Sequence, residues 1–270
     1  MSTTPSEQQG RSRPIKLFVG ALVVGVLFAG VGLWWALRED APADVSLGAA
    51  IESIEGTADS DETGADENIA TGIDETDTTA VGAIAGTWTV DTESGDFDYE
   101  SATGSFVGFR IEEELRGIGS TTAVGRTGDV TGTMVIEGST VTEASFDIDM
   151  TTITTNSSMR DDNVQDALET GEFPSASFVM TQPMELDERA EFGEAVTSTA
   201  VGDLTVHGVT NQISFAMEAQ LVDGVVIAVG STEITFSDYD VEVPNGGPVI
   251  SVDDFGILEL QFLLAQTANA

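Results

Sequence analysis

The 270 residues carry 47 acidic and 9 basic side chains, for a net charge of -38, with one histidine and no cysteine. The absence of thiols excludes a disulfide framework, a thiolate metal site and a cysteine nucleophile. Basic residues beyond position 38 stand singly, as at Arg116 and Arg189, so no cationic cluster is available for a nucleic-acid backbone. The acidity reads as a solvated, self-repelling surface.

Residues 17–37 form 21 consecutive positions without a charge. At about 1.5 Å per residue, such a helix crosses a hydrocarbon layer of roughly 30 Å. The reading is a cytoplasmic tail over 1–14 and a transmembrane helix over 15–38, with Trp34 and Trp35 at the interface. Arg11, Arg13 and Lys16 precede the helix and Glu39 and Asp40 follow it, which places the N-terminus in the cytoplasm. Ala41-Pro42-Ala43 offers a signal-peptidase site as the competing reading, but the long apolar run and its two terminal tryptophans favour an uncleaved anchor in the cell membrane. In both cases the remainder of the chain is extracytoplasmic. Residues 39–86 hold thirteen acids, no Lys or Arg and no aromatic ring, so a disordered acidic linker is expected there.

From residue 87 to 270 the pattern changes to short alternating apolar runs separated by turn residues, the signature of an antiparallel sandwich or barrel. Period-two stripes run through Val107, Phe109 and Ile111, through Met134 and Ile136, and through Phe146, Ile148 and Met150. They recur at Phe178 and Met180, Leu204 and Val206, Ile213, Phe215 and Met217, Val225, Ile227 and Val229, and Leu258, Leu260, Phe262 and Leu264. Residues 157–168 have helical spacing instead, with Ser157 or Ser158 as cap, and Gly171 and Pro174 beyond the end. Pro244 to Pro248 mark a loop before the last strand. About eight strands and one short helix make an all-β antiparallel barrel, whose interior at that size is either filled by side chains or holds one small ligand.

Several stretches resemble the YceI-like family of exported proteins. They are Trp88-Thr89-Val90-Asp91, Ser105-Phe106-Val107-Gly108-Phe109, Ala144-Ser145-Phe146-Asp147-Ile148-Asp149, Met159-Arg160-Asp161 and Glu172-Phe173-Pro174-Ser175-Ala176-Ser177-Phe178. Gly202-Asp203-Leu204-Thr205-Val206-His207-Gly208-Val209-Thr210 is similar to the family's GxLTxxGVT segment, and Asp254-Phe255-Gly256 to its late turn. The resemblance implies a lipocalin-like barrel that binds a long isoprenoid, a quinone or polyprenyl lipid, in an apolar tunnel. The inward stripes would line it: Val107, Phe109, Ile111, Met134, Ile136, Phe146, Ile148, Met150, Phe178, Met180, Phe215, Met217 and Phe262. Arg110-Ile111-Glu112 stands where the family usually has a histidine.

No catalytic or metal-binding pattern competes with that reading. His207 is the one histidine, and a hydrolase using it would need a nucleophile signature that is absent; it reads as a structural turn residue. One His and no Cys cannot supply a typical zinc ligand set. The pairs Asp96 and Asp98, Asp147 and Asp149, and Asp238 and Asp240 arise readily among 47 acids, and none continues into a calcium loop. Arg160 and Asp161 read as fixing the helix to the barrel mouth. The sequence thus supports a membrane-anchored lipid carrier without catalysis, with a filled barrel serving as an interaction module as the alternative.

Overall fold

The computed structural model describes residues 41–58, 84–92, 94–243 and 249–267. The expected tail and span at 1–38, linker residues 59–83 and the loop at 244–248 lie outside the described residues. Among the described residues, no helix is long and apolar enough to cross a membrane.

The strands are β1 (Gly86–Val90), β2 (Phe106–Leu115), β3 (Gly119–Thr127), β4 (Val130–Glu137), β5 (Thr140–Asp149) and β6 (Thr154–Thr155). They continue with β7 (Ser175–Met180), β8 (Met184–Glu185), β9 (Val196–Val206), β10 (Val209–Val222), β11 (Val225–Thr235), β12 (Val249–Val252) and β13 (Phe255–Gln266). Helix α1 (Leu47–Ala58) precedes them, and α2 (Ser158–Ala167) lies between β6 and β7.

Hydrogen bonding runs β1-β4-β5-β7-β9-β10-β11-β13 and returns from β13 to β1, which closes an antiparallel barrel of eight strands. One strand position is split. Trp88 pairs with Gln266 and Val90 with Leu264, while Phe106 pairs with Gln261 and Arg110 with Ile257, so β1 and β2 lie end to end along β13. Leu263 falls at the break, where its backbone groups would lose their partners. Asp91 N–H donates to the Leu263 carbonyl at 2.8 Å and Ser105 Oγ accepts from the Leu263 N–H at 2.9 Å, so the excursion from Asp91 to Ser105 completes the ladder.

Alternation along β13 puts Leu258, Leu260, Phe262 and Leu264 in the interior cluster. Glu259, Gln261 and Leu263 point outward, yet all three are buried. The excursion and the segment before α1 cover them. Gln261 Nε2 donates to the carbonyls of Ala102 and Gly104 at 3.0 and 2.9 Å. Glu259 meets Arg126, whose Nε lies 2.7 Å from its Oε1. In register, Glu259 faces Gly108 on β2 and Gly108 faces Arg126 on β3, so the two charges meet across a residue without a side chain. A Cβ on Gly108 would lie 2.8 Å from Arg126 Cγ and 2.4 Å from the Gly125 carbonyl oxygen. The Arg126 guanidinium also sits 4.7 Å from the Phe106 ring centroid and donates to the Tyr99 and Ala43 carbonyls.

The expected disordered linker over 39–86 is corrected at residues 41–58, which form a strap and a helix on the outer wall, and at 84–86, where Ile84 is buried in the interior cluster and Gly86 begins β1. Arg110 donates to the Pro42 carbonyl at 2.7 Å and pairs with Asp44 at 2.8 Å. Ser46 Oγ accepts from the Ala49 N–H and caps α1. Leu47, Ala50, Ile51 and Ile54 recur at helical spacing and pack on Ile227, Val229 and Leu263 of β11 and β13, so the stripe Val225, Ile227 and Val229 faces this helix and not the interior. Composition averaged over a long acidic segment concealed the helical stripe.

Helix α2 lies where its spacing places it. Ser157 occupies the N-cap position without a side-chain cap bond; the Asp161 carboxylate instead accepts from the Thr155 N–H at 2.7 Å. Arg160 bonds Glu113 of β2 and Asn156, which ties the helix to the barrel.

Two measurements test this frame. Glu259→Gln leaves the Arg126 charge buried without compensation, and urea unfolding is expected to show a loss of about 3–5 kcal/mol; Arg126→Met/Glu259→Leu is expected to recover most of it. Burial pushes the Tyr99 phenol up to about 12 and also raises that of Tyr239. Because unfolded phenols ionise near 10, stability is expected to fall as pH rises through the interval from about 10 to 12, together with a late phenolate absorbance.

Candidate functional site: the barrel lumen

The lumen is lined by inward-facing apolar side chains from nearly every strand position. The larger of two adjoining cavities has a volume of about 140 Å³. Its walls are aliphatic, aromatic, methionine, alanine and glycine residues, with Glu259 the single exception. The Glu259 carboxylate is turned to the outer face, where Arg126 holds it. The smaller cavity, about 70 Å³, is lined by Ile84, Ile136, Leu186 and Val196, with Glu194, Ser198 and Gln220 supplying its polar groups.

Glycines on neighbouring strands let large side chains lie flat against the wall. A Cβ on Gly132 would stand 2.3 Å from Phe146 Cδ1, one on Gly202 2.4 Å from Phe178 Cζ, and one on Gly125 2.5 Å from Phe109. Gly230 gives Met217 the same space, with its sulfur 2.4 Å from the missing Cβ position. Phe146 and Phe262 stack at a centroid separation of 4.5 Å, and Phe178 meets Phe215 edge-on at 5.7 Å. The rings therefore pack on one another and on bare backbone, which keeps the centre of the barrel open.

At one end the chain turns over the cavity. Asp149 accepts from the Thr151 N–H at 2.8 Å and from its hydroxyl at 2.6 Å, bonds that hold the Asp149 carboxyl below the ordinary carboxylate range. The short turn they cap carries Met150 onto the cavity wall. His207 sits nearby in the β9–β10 turn with a φ of 52°. Its Nδ1 lies 3.2 Å from the Tyr239 carbonyl oxygen, its Nε2 lies 3.1 Å from Glu169 Oε2, and its ring meets Phe173 edge-on. Both nitrogens thus face acceptors, and the ring joins three chain segments.

Of the residues expected to line a tunnel, Val107, Phe109, Met134, Phe146, Ile148, Met150, Phe178, Met180, Phe215, Met217 and Phe262 border the larger cavity. Ile136 borders the smaller one, and Ile111 packs against the interior cluster without reaching either cavity. Sequence reasoning missed Met184, Ala200 and Ala228. Met184 lies in a two-residue strand too short to show alternation, and the alanines are too small to mark a stripe. The paired acids Asp96 and Asp98, Asp147 and Asp149, and Asp238 and Asp240 are all exposed. Among the described residues, no group of three or more His, Cys, Asp or Glu side chains is arranged to hold a metal ion.

Comparison with known proteins agrees with this architecture. The YceI-like domain family matches residues 88–262, from β1 to β13. The fold is similar to a polyisoprenoid binding domain from Saccharophagus degradans implicated in plant cell wall breakdown, at 18% identity and a TM-score of 0.51 over 67% of this chain and 98% of that one. Burkholderia cenocepacia BcnA is 15% identical with a TM-score of 0.46 over 66% of this chain and 99% of its own. The Campylobacter jejuni YCEI protein is 16% identical with a TM-score of 0.41, covering 54% and 85% respectively. No curated protein matches the sequence. The family match spans well over half of the chain and takes in the whole strand order of the barrel, and on that ground the chain belongs to the YceI-like family.

Proposed function

We propose that this chain is a membrane-anchored, extracytoplasmic binding protein that holds an isoprenoid-type lipid in the barrel lumen and performs no chemistry on it. The observation that carries the reading is the larger cavity, whose one ionisable lining residue has its charge neutralised on the opposite face of the sheet. Such a site offers no hydrogen bond to a polar solute. It can offer only apolar contact, at roughly 0.8 kcal/mol per CH₂ transferred from water.

Family membership supports the same class of ligand, since the similar domain from Saccharophagus degradans is a polyisoprenoid binding domain. The anchor and the extracytoplasmic location rest on the apolar run at 17–37 and on the charge difference across it. A catalytic role for His207 would require a free ring nitrogen and a nearby nucleophile. The hydrogen bonds recorded for that ring go to a backbone carbonyl and a carboxylate.

Organic extracts of the purified full-length chain are expected to contain polyprenyl lipid by mass spectrometry; no lipid in the extract and no uptake of added prenols would sink the carrier reading. Ala200→Phe plugs the larger cavity with an apolar ring. It is expected to abolish uptake without lowering the melting temperature, because the added ring fills existing space. His207→Ala is expected to retain the lipid. The anchor is checked by fractionation: the chain should stay with membranes through an alkaline carbonate wash.

A further inference from the structure

We propose that Met134, Met184 and Met217 form a displaceable partition across the lumen, and that this partition sets the length of prenyl chain the barrel accepts. The inference rests on the lipid-binding reading above and concerns what that reading leaves open, the size of the ligand.

The two cavities have five lining residues in common, namely Met134, Val141, Met184, Met217 and Ala228. These residues are the wall between them. Met134 lies on β4 and Met184 on β8, which pairs with β5, whereas Met217 lies on β10 beside Ala228 of β11. In the order β1-β4-β5-β7-β9-β10-β11-β13, the pair β4 and β5 stands diametrically opposite the pair β10 and β11. The methionines therefore stand on opposite walls at the boundary between the two cavities.

Volume shows why the partition matters. The larger cavity, at about 140 Å³, is close to the roughly 150 Å³ apolar cavity that accepts a benzene molecule. It has room for about one five-carbon unit, and the smaller cavity of about 70 Å³ for less. A chain of several isoprene units enters only if side chains give way. The aromatic rings are braced by one another and by the strand backbone, whereas methionine is unbranched, rotates about three side-chain bonds and adapts to irregular space. Swinging the three thioethers aside joins the cavities into one channel. Short chains need only the larger cavity, and long chains need the joined channel.

The test uses the full-length chain in lipid nanodiscs, incubated with 3-methylbut-2-en-1-ol, a single five-carbon unit, or with geraniol, which has two, with uptake read by mass spectrometry against empty nanodiscs. Met217→Phe braces the partition and is expected to lower geraniol uptake at least about tenfold more than it lowers uptake of the five-carbon alcohol. Met217→Ala opens it and is expected to move the ratio of geraniol to five-carbon alcohol the other way. The opposite signs keep the test decisive if one variant fails to fold. Parallel changes for short and long prenols, or an unchanged ratio in Met217→Ala, would overturn the partition. Failure of the unsubstituted chain to take up any prenol would instead overturn the lipid-binding reading beneath it.

Discussion

Barrel closure depends on β13, and the closure is unusual in that one strand must serve two partners on the same edge. Along β13, the half nearer its C-terminus pairs with β1 and the half nearer its N-terminus with β2, while the opposite edge is paired throughout to β11. The break between β1 and β2 would leave Leu263 without ladder partners, and the excursion from Asp91 to Ser105 supplies them. Once the excursion lies there, the outward residues of β13 are buried too, and the polar ones among them need partners. Gln261 takes carbonyls of the excursion, and Glu259 takes Arg126. A buried ion pair of this kind adds little net stability over an apolar substitute, but it penalises any shift in strand register, because Arg126 meets Glu259 only when Gly108 lies between them.

The outer wall and the lumen obey different rules for the same reason. Every inward position of a closed sheet competes for one small volume, and eight strands leave about enough space for side chains to fill it. Here that space is apportioned by placing glycine beside each of several bulky residues, so that Phe109, Phe146 and Phe178 cover backbone instead of projecting into the centre. On the outer face the same device has the opposite effect. Gly108 admits the Arg126 side chain across the strand and closes space that would otherwise be open.

The fold was legible in the sequence wherever one face of a strand is uniformly apolar, because period-two alternation survives in a single chain. Phe146, Ile148 and Met150, or Leu258, Leu260, Phe262 and Leu264, declare their face without any partner being known. Features that depend on register were not legible. Arg110 and Arg126 are isolated in sequence, yet they clamp Pro42, Ala43, Asp44 and Glu259 because strand pairing brings them to the strap. Helix α1 was hidden differently, since Leu47, Ala50, Ile51 and Ile54 carry a helical period within a segment whose average composition is that of a disordered chain. Ile111 shows the remaining limit: a stripe gives the face a residue points to, but not how far along the barrel the cavity extends.

An open lumen has a thermodynamic cost that the fold offsets outside the ligand site. Unfilled apolar volume forfeits contacts in proportion to its size, by about 24 cal/mol per Å³ in cavity series, so a lumen kept empty weakens a core that already lacks disulfides. The outer wall supplies a second layer in response, with α1 burying Leu47 and Ala50 on Ile227, Val229 and Leu263. That layer touches the backs of β11 and β13, the strands whose inner faces carry Ala228, Leu258, Leu260 and Phe262 of the cavity wall. Rigidity is thus provided from behind the wall, and the lumen can be lined with methionine and alanine without the barrel having to rely on its own interior for stability.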